Sequence, residues 1–496
     1  MPIYLIAKNL STAEKEKSMN YVLYGGILAA FLSIIRYLSY ADLRLDGLFN
    51  YANTTAIYFA ICSVIFFNRK FEGYIINIGM AITSAALLLT QSRGGLIIYV
   101  LALLYMIIMR KQNRQVMVLN IILYEVFGSV FALLIYYRQY VGLVLLLPTL
   151  LFLKNGLKIR NKKIVWSLYS GIFIGFIIMI FELLKKSIKS GAGLATLKER
   201  FVFYEDGFKL LTHNLLGIGA GRFSSEQFSY QTAVYDIKYV HNGFLQIAID
   251  YGVIFFLLYV ILILFKLIKN GDKESFSSSY FIVIVMVLLH SMIDFSMSFI
   301  YINILLWFCI GAMDKESYGD YKGKAIYGSF VGVFVAVSLM AVILVPGEFL
   351  YDFASYNMVN TTSNYNILKV WYDFPLKTVR YYDRLAVLDS EMYDKNKDKS
   401  YLKEATLNLD RCLLSNGKDA RILELKGKIS YAGGQIKEAS LSLEESIKLR
   451  KYYIPNYDAL LQCYYTLYKS SDVNSKESKD YALKIRGLTL DLNNGK

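Results

Sequence analysis

Up to Pro346 the chain is a series of long apolar runs separated by short polar breaks. The runs lie near 21–40, 51–68, 74–91, 95–109, 116–136, 139–153, 164–182, 243–265, 280–298, 301–313 and 325–345. A helix needs ~20 apolar residues to cross a bilayer, so the pattern predicts about eleven spans within residues 1–346. Runs 139–153 and 301–313 are the shortest. One long polar interruption, 183–240, stands apart from the short loops. Beyond Pro346 charged residues alternate with apolar ones at helical spacing, and residues 347–496 read as a water-soluble helical domain. The predicted fold class is all-α: a polytopic transmembrane helical bundle followed by a helical-repeat domain.

In the C-terminal part, "ARILELKGKISYAGGQIKEASLSLEESIKL" has a rhythm of its own. Leu423, Gly427, Tyr431, Gly434, Ala439, Leu443 and Ile447 fall where a tetratricopeptide repeat places its small and apolar packing residues. Stretches near 380–413 and 453–487 continue the pattern at a spacing of roughly 34 residues. The resemblance implies a short solenoid whose one concave face would take a protein partner. A generic bundle of helical hairpins is the alternative.

Charge adds an orientation. The net charge is +15. Lys and Arg gather in "NRKFEG", "RKQNRQ", "KNGLKIRNKK", "KLIKNGDKES" and "DKESYGDYKGK", whereas "ADLRLDGLFN", "QSRGG" and "YYRQY" hold one each. Cytoplasmic loops carry the basic excess. The N-terminus is therefore expected inside a plasma membrane, with 183–240, the opening of the 243–265 helix and residues 347–496 outside. The same distribution accounts for the positive charge without nucleic acid, which is not an expected partner. The polar start, with "AEKEK" in it, predicts no cleavable signal peptide. The 4 cysteines have no disulfide or metal spacing. No zinc motif, phosphate-binding loop or dinucleotide fingerprint is present, so neither metal nor cofactor is expected.

The segment "YVHNGFLQIAIDYGVIFFLLYV", Tyr239 to Val260, carries His241, Asn242, Gln246 and Asp250 at the head of an apolar run. Polar groups at such a place are costly in lipid and point to a wet cavity. Helical spacing predicts that Asn242, Gln246 and Asp250 share a cavity-facing side. Only 3 histidines exist. His213 lies in the outer loop, and His290 precedes Asp294 by one helical turn, so those two are expected on one face. A structural hydrogen bond is the plain reading of His290. At a solvated helix head His241 could act as a base near neutral pH, or simply cap the helix. Among the arginines on the outer side, Arg44, Arg93, Arg200 and Arg222 are the candidates. Arg93 opens a helix followed by Gly94 and Gly95, a combination suited to pyrophosphate, although an interfacial Arg would look the same. Asp206, Asp250 and Asp294 are candidates for orienting the histidines or arginines.

Taken in order, these stretches resemble the O-antigen ligase and O-antigen polymerase superfamily of type C membrane glycosyltransferases. "RLDGLFNYANTTAIYFA", with Gly47, Phe49 and Asn53, is similar to its outer loop. "SRGG" is similar to its Ser-Arg-Gly helix start, and "ERFVFYEDGFKLLTHNLLGIGAGRF" to its Arg-bearing loop with a Gly-x-Gly turn. "HNGFLQIAIDYG" is similar to its His-Asn pattern, and "HSMIDFSM" to the helix that follows. The resemblance implies a glycan donor linked to undecaprenyl pyrophosphate and a glycan, lipid or protein acceptor. It implies His241 as catalytic base, with Arg93, Arg200 and Arg222 binding the donor alongside Arg44, Asn53 and Asn242. Asp250, Asp294 and His290 would support them. It leaves polymerase and ligase both open. From the residues alone, a polytopic transporter or a membrane scaffold with partner-binding repeats are the other classes.

Overall fold

A computed structural model describes residues 2–40, 44–69, 74–110, 113–137, 192–314, 361–370, 379–472 and 474–493. The expected spans 139–153, 164–182 and 325–345 lie outside these residues, as does the start of the 183–240 loop. The described residues form helices and turns, with no β-strand among them. They fall into two compact units. One is drawn from Met1–Glu205, Asn214–Gly217 and Tyr239–Tyr327, the other from Asp206–His213, Ile218–Lys238 and Gly328–Lys496.

The helices of the first unit are α1 (Pro2–Asn9), α2 (Thr12–Tyr40), α3 (Ala52–Asn68), α4 (Tyr74–Leu89), α5 (Arg93–Met109) and α6 (Arg114–Tyr136). Helix α7 (Ala192–His213) begins in this unit and ends in the other. Then come α8 (Gly243–Tyr251), α9 (Val253–Asn270), α10 (Ser279–Ser291) and α11 (Ile300–Met313). Helix α3 is apolar on every side and is buried along almost its whole length, as an all-round hydrophobic helix must be. It packs against α2, α4, α5 and α10. Gly95 lets α5 come close: a Cβ there would stand 2.7 Å from the Ala56 Cβ.

Among the described residues three helices, α2, α6 and α9, are long and apolar enough to cross a membrane. Helices α3, α4, α5, α10 and α11 are apolar but shorter. The outer faces are apolar as well. On α9, Ile254, Leu258, Ile261, Leu264 and Ile268 are exposed, as are Ile97, Val100, Leu104 and Ile108 on α5. Contiguous exposed apolar faces of this kind call for lipid. This is consistent with a multi-pass membrane protein.

Two apolar runs are broken where the sequence reads as continuous. The 243–265 run divides at Gly252, whose φ of +89° ends α8. Its backbone packs so tightly on Leu216 that a Cβ would lie 2.6 Å from the Leu216 carbonyl carbon. The 280–298 run stops at Ser291, and the chain turns before α11 starts at Ile300. Asp294 therefore lies in a turn, not one helical turn along from His290 on a common face.

In the second unit the helices are α12 (Thr361–Val370), α13 (Val379–Asn396), α14 (Lys399–Asn416), α15 (Ala420–Ala432), α16 (Ile436–Leu449), α17 (Ile454–Ser470) and α18 (Lys476–Asn493). Neighbours in sequence pack on one another along the series. Asp398 and Asp419 cap α14 and α15 by accepting backbone N–H bonds, which satisfies donors a helix start leaves free. Gly427 allows α16 to approach, since a Cβ there would fall 2.7 Å from Leu443 Cγ. The segment 218–238 belongs to this unit. Its Asp236 pairs with Arg421 and, at 3.0 Å, with Arg450. Both guanidinium groups lie over the Phe228 ring, at 5.1 and 4.6 Å. All four cysteines are buried and unpaired.

Candidate functional site

The polar groups of the first unit converge on Asp294. This carboxylate, 1% exposed, would be costly to bury without partners. It receives the Tyr51 hydroxyl at 3.0 and 2.9 Å, Asn53 Nδ2 at 2.7 Å and the Phe295 backbone N–H at 2.8 Å. Arg200 Nη2 donates to it at 3.3 Å, and Arg200 Nη1 donates to the Ile293 carbonyl at 2.6 Å. Burial acts to raise the Asp294 pKa, but His241, His290 and Arg200 outweigh it and hold the carboxyl below its ordinary value. Asp294 is thus an anion at neutral pH.

A second tier braces this turn. Tyr51 immediately precedes α3, and its ring stacks on Phe295 at 4.6 Å. Burial and the Asp294 charge push its phenol far up, so it remains a donor. Asn53 is held in turn by Arg44, whose Nη2 donates to Asn53 Oδ1 at 3.1 Å and whose Nε donates to the Thr90 carbonyl at 2.9 Å. The Gly243 N–H donates to the Asp294 carbonyl at 2.9 Å, which ties the head of α8 to the same turn.

His241 stands at the rim of this network. Its φ is +55°, a region that non-glycine residues rarely occupy. Tyr204 fixes that backbone by donating its hydroxyl to the His241 carbonyl at 2.9 Å. The imidazole stacks on Phe203 at 5.8 Å and meets Phe295 edge-on at 5.0 Å. Nδ1 lies 3.4 Å from the Tyr51 hydroxyl and 3.9 Å from Asp294 Oδ2. The single Tyr51 proton is directed to Asp294 and Asn53 Nδ2 donates to the Tyr51 oxygen at 2.9 Å, so the remaining Tyr51 lone pair favours the tautomer with the proton on Nδ1. That tautomer leaves the lone pair on Nε2, which has no partner among the described residues. The ring is 21% exposed, enough to meet a substrate.

Asn242 and Gln246 have other duties. Asn242 Oδ1 caps α8 by accepting from the Phe244 and Leu245 N–H groups, and its Nδ2 donates to the Met292 carbonyl at 3.0 Å. Gln246 is buried, accepting from the Val240 N–H at 3.0 Å and donating to Asp250 at 2.9 Å. The expected cavity-facing row of Asn242, Gln246 and Asp250 is therefore spent on protein contacts. Asp250 orients neither a histidine nor an arginine. His290 is buried and bonded to Ser296 Oγ at 2.7 Å, the structural role.

Arg93 is placed differently from the other cations. It opens α5 behind Ser92, which caps the helix, and it is exposed. Among the described residues its guanidinium makes no hydrogen bond or ion pair. Gly94 packs on Ile293, beside Asp294, where a Cβ would lie 2.7 Å from Ile293 Cδ1. Burial lowers the Arg44 pKa, and the charges of Arg93 and Arg200 add to that effect, so the three cations act on one another. Arg200 on the carboxylate, Arg44 behind Asn53, and Arg93 acting on Arg44 leave a positive surplus that favours an anionic ligand.

Arg222, His213 and Asp206 fall in the second unit. Arg222 pairs with Glu226 at 2.5 Å, His213 bonds the Lys209 carbonyl at 2.8 Å, and Asp206 holds Thr232 and Tyr235. Sequence reasoning missed Tyr51, Phe203, Tyr204 and Phe295. Tyr51 lay inside the quoted "GLFNYAN" stretch, between the Phe and Asn that were singled out.

Residues 78–260 match the family model described as O-antigen ligase. The matched segment contains Arg93, Arg200 and His241 but stops before Asp294 and does not include Tyr51, Asn53 or helices α12 to α18. No curated protein and no solved structure matches the chain. Residues 78–260, 183 of the 496 in the chain, are thus similar to the O-antigen ligase family, a similarity consistent with a membrane enzyme of the ligase or polymerase type.

Proposed function

We propose that the protein is a membrane glycosyltransferase that moves or polymerises glycan from an undecaprenyl-pyrophosphate-linked donor. The observation that carries this reading is that, among the described residues, neither His241 Nε2 nor the Arg93 guanidinium has a partner, while Arg93 acts electrostatically on Arg44, which holds Asn53 of the Asp294 network. An acceptor hydroxyl gives its proton to His241 Nε2 as its oxygen attacks the anomeric carbon. The bond from that carbon to the pyrophosphate oxygen breaks, and the electron pair leaves with the pyrophosphate. Arg93, with Arg44 and Arg200 behind it, stabilises the charge that builds there. Asp294, through Tyr51, keeps the Nδ1 proton in place. Arg222, already paired with Glu226, is given no part. The acceptor is a second glycan in a polymerase, or a lipid, protein or wall hydroxyl in a ligase.

Residues 1–346 would form the span-rich domain, about eleven helices crossing the membrane. Residues 347–496 would form tetratricopeptide-like repeats outside it, presented to a protein partner or the growing glycan. The Lys and Arg asymmetry supports this orientation. Cysteines introduced at Ser225 and Ser470 should react with an impermeant thiol reagent in intact cells, whereas one at Ser277 should not. The reverse pattern would put the proposed site on the wrong side.

The donor role of Arg93 has its own test. Arg93→Ala should bind the lipid-linked donor at least about tenfold more weakly, from loss of a charge-assisted pair. Arg93→Lys should recover only part, because a point charge replaces a two-pronged donor. Both proteins should insert normally. Unchanged donor binding by Arg93→Ala would remove the pyrophosphate role.

A further inference from the structure

The ends of α3, α4, α5 and α6 remote from Asp294 enclose a second polar cavity, of about 310 Å³. Arg93 starts α5 and Arg110 follows its last residue, so the cavity and the candidate site are separated by the helix length, about 25 Å. Two cations line it, Arg69 and Arg110, together with Asn77, Asn113 and Asn120. Among the described residues no acidic one does.

The two arginines are held in place by neutral groups. Arg69 donates to the Glu16 carbonyl at 2.7 Å, to Asn20 Oδ1 at 2.9 Å and to the Tyr280 hydroxyl at 3.3 Å. Arg110 Nη1 donates to the Phe67 carbonyl at 3.2 Å and contacts Met117 Sδ at 3.5 Å. Among the described residues neither has a carboxylate partner. The side chains of Asn77, Asn113 and Asn120 bond nothing among the described residues, so three amides open to the cavity with their donors unused. Two fixed positive charges and three idle amides, without a counter-charge, are the chemistry of an anion site.

The floor of the cavity is aromatic. Tyr124 meets Phe66 edge-on at 5.0 Å and Phe67 at 6.1 Å. Beside it Val116 and Ile108 are 57% and 67% exposed. They face outward with the apolar surfaces described above. A ligand that suits all of this has an anionic head and an apolar chain. Basic cavities between membrane helices hold lipid headgroups by the same means.

We propose that this cavity binds one phosphodiester group, that of an anionic membrane lipid, with Arg69 and Arg110 on its charge and Asn77, Asn113 and Asn120 completing its hydrogen bonds. The lipid chain lies along Val116 and Ile108. The site is independent of the glycan-transfer reading, since it shares no residue with it.

The test is native mass spectrometry of the full-length protein in detergent, titrated with phosphatidylglycerol, phosphatidylcholine or inorganic phosphate. Wild type should retain one phosphatidylglycerol, with phosphatidylcholine at least about tenfold weaker, and Arg110→Gln should lose about tenfold in affinity for phosphatidylglycerol. Asn120→Leu alters a side chain with no protein bond, so it should fold as wild type and still bind less phosphatidylglycerol. Equal retention by wild type and both variants, or equal binding of the two lipids, overturns the proposal. Displacement of bound lipid by millimolar inorganic phosphate, with no preference for the lipid, would identify a free-anion site and overturn the lipid source.

Discussion

His241→Ala should lower glycan transfer by roughly 10²–10⁴-fold, the range expected for loss of a general base, while the lipid-linked donor still binds. The ring contributes a lone pair at Nε2 and nothing else that the donor needs, since the cationic groups belong to Arg44, Arg93 and Arg200. Its Nδ1 side is occupied by Tyr51 and, further off, Asp294. A folded His241→Ala protein within about threefold of wild type would leave the ring a structural cap, outside the effect of general-base loss.

Asp294→Ala should be still more damaging, because it acts on both fold and site. Removing one member of a buried, hydrogen-bonded charge pair costs about 3–5 kcal/mol. Here Tyr51, Asn53 and Arg200 would all lose their acceptor. Asp294→Asn separates the two effects, since it keeps the shape but not the charge. It should fold, and it should lose on the order of 10²-fold in transfer as the Tyr51 and His241 protons lose their direction. The folded-state pKa of Asp294 lies below its ordinary value. Its stabilisation is therefore present above the unfolded-state carboxyl pKa and is lost as pH falls through the lower folded-state value. Thermal unfolding in detergent should show that acid-side loss in wild type and not in Asp294→Asn. A normal melting temperature for Asp294→Ala would show that the turn is not organised by this carboxylate.

The helices were legible from apolar runs alone, because a run such as 95–109 needs only its length and composition to be read. The breaks were less legible. Gly252 sits within an unbroken apolar stretch, and nothing local reports that Leu216 packs against its backbone. For the same reason Asp294 was read one helical turn from His290, whereas α10 ends first. Arg44, Arg93, Arg200 and His241 were singled out as residue types at helix heads and in outer loops, and Asn53 only through the family resemblance. Tyr51 was passed over because a Tyr beside a membrane helix is commonplace at the lipid interface. Asn242 was read as facing a ligand, but a residue at a helix start first satisfies the backbone N–H groups there. The pairing of Asp236 with Arg421 and Arg450 joins positions far apart in the chain, and no spacing rule reaches that distance.

The proposed reaction is reached most directly with the purified full-length protein and a purified undecaprenyl-pyrophosphate-linked glycan in vesicles. Carrier pyrophosphate and the new glycosidic product are measured together. Wild type should release one carrier pyrophosphate for each glycosidic bond formed, and His241→Ala should form almost none while still holding donor. Folded wild-type protein that moves the donor across the membrane intact, or leaves it unconsumed in the presence of acceptor, would contradict glycan transfer.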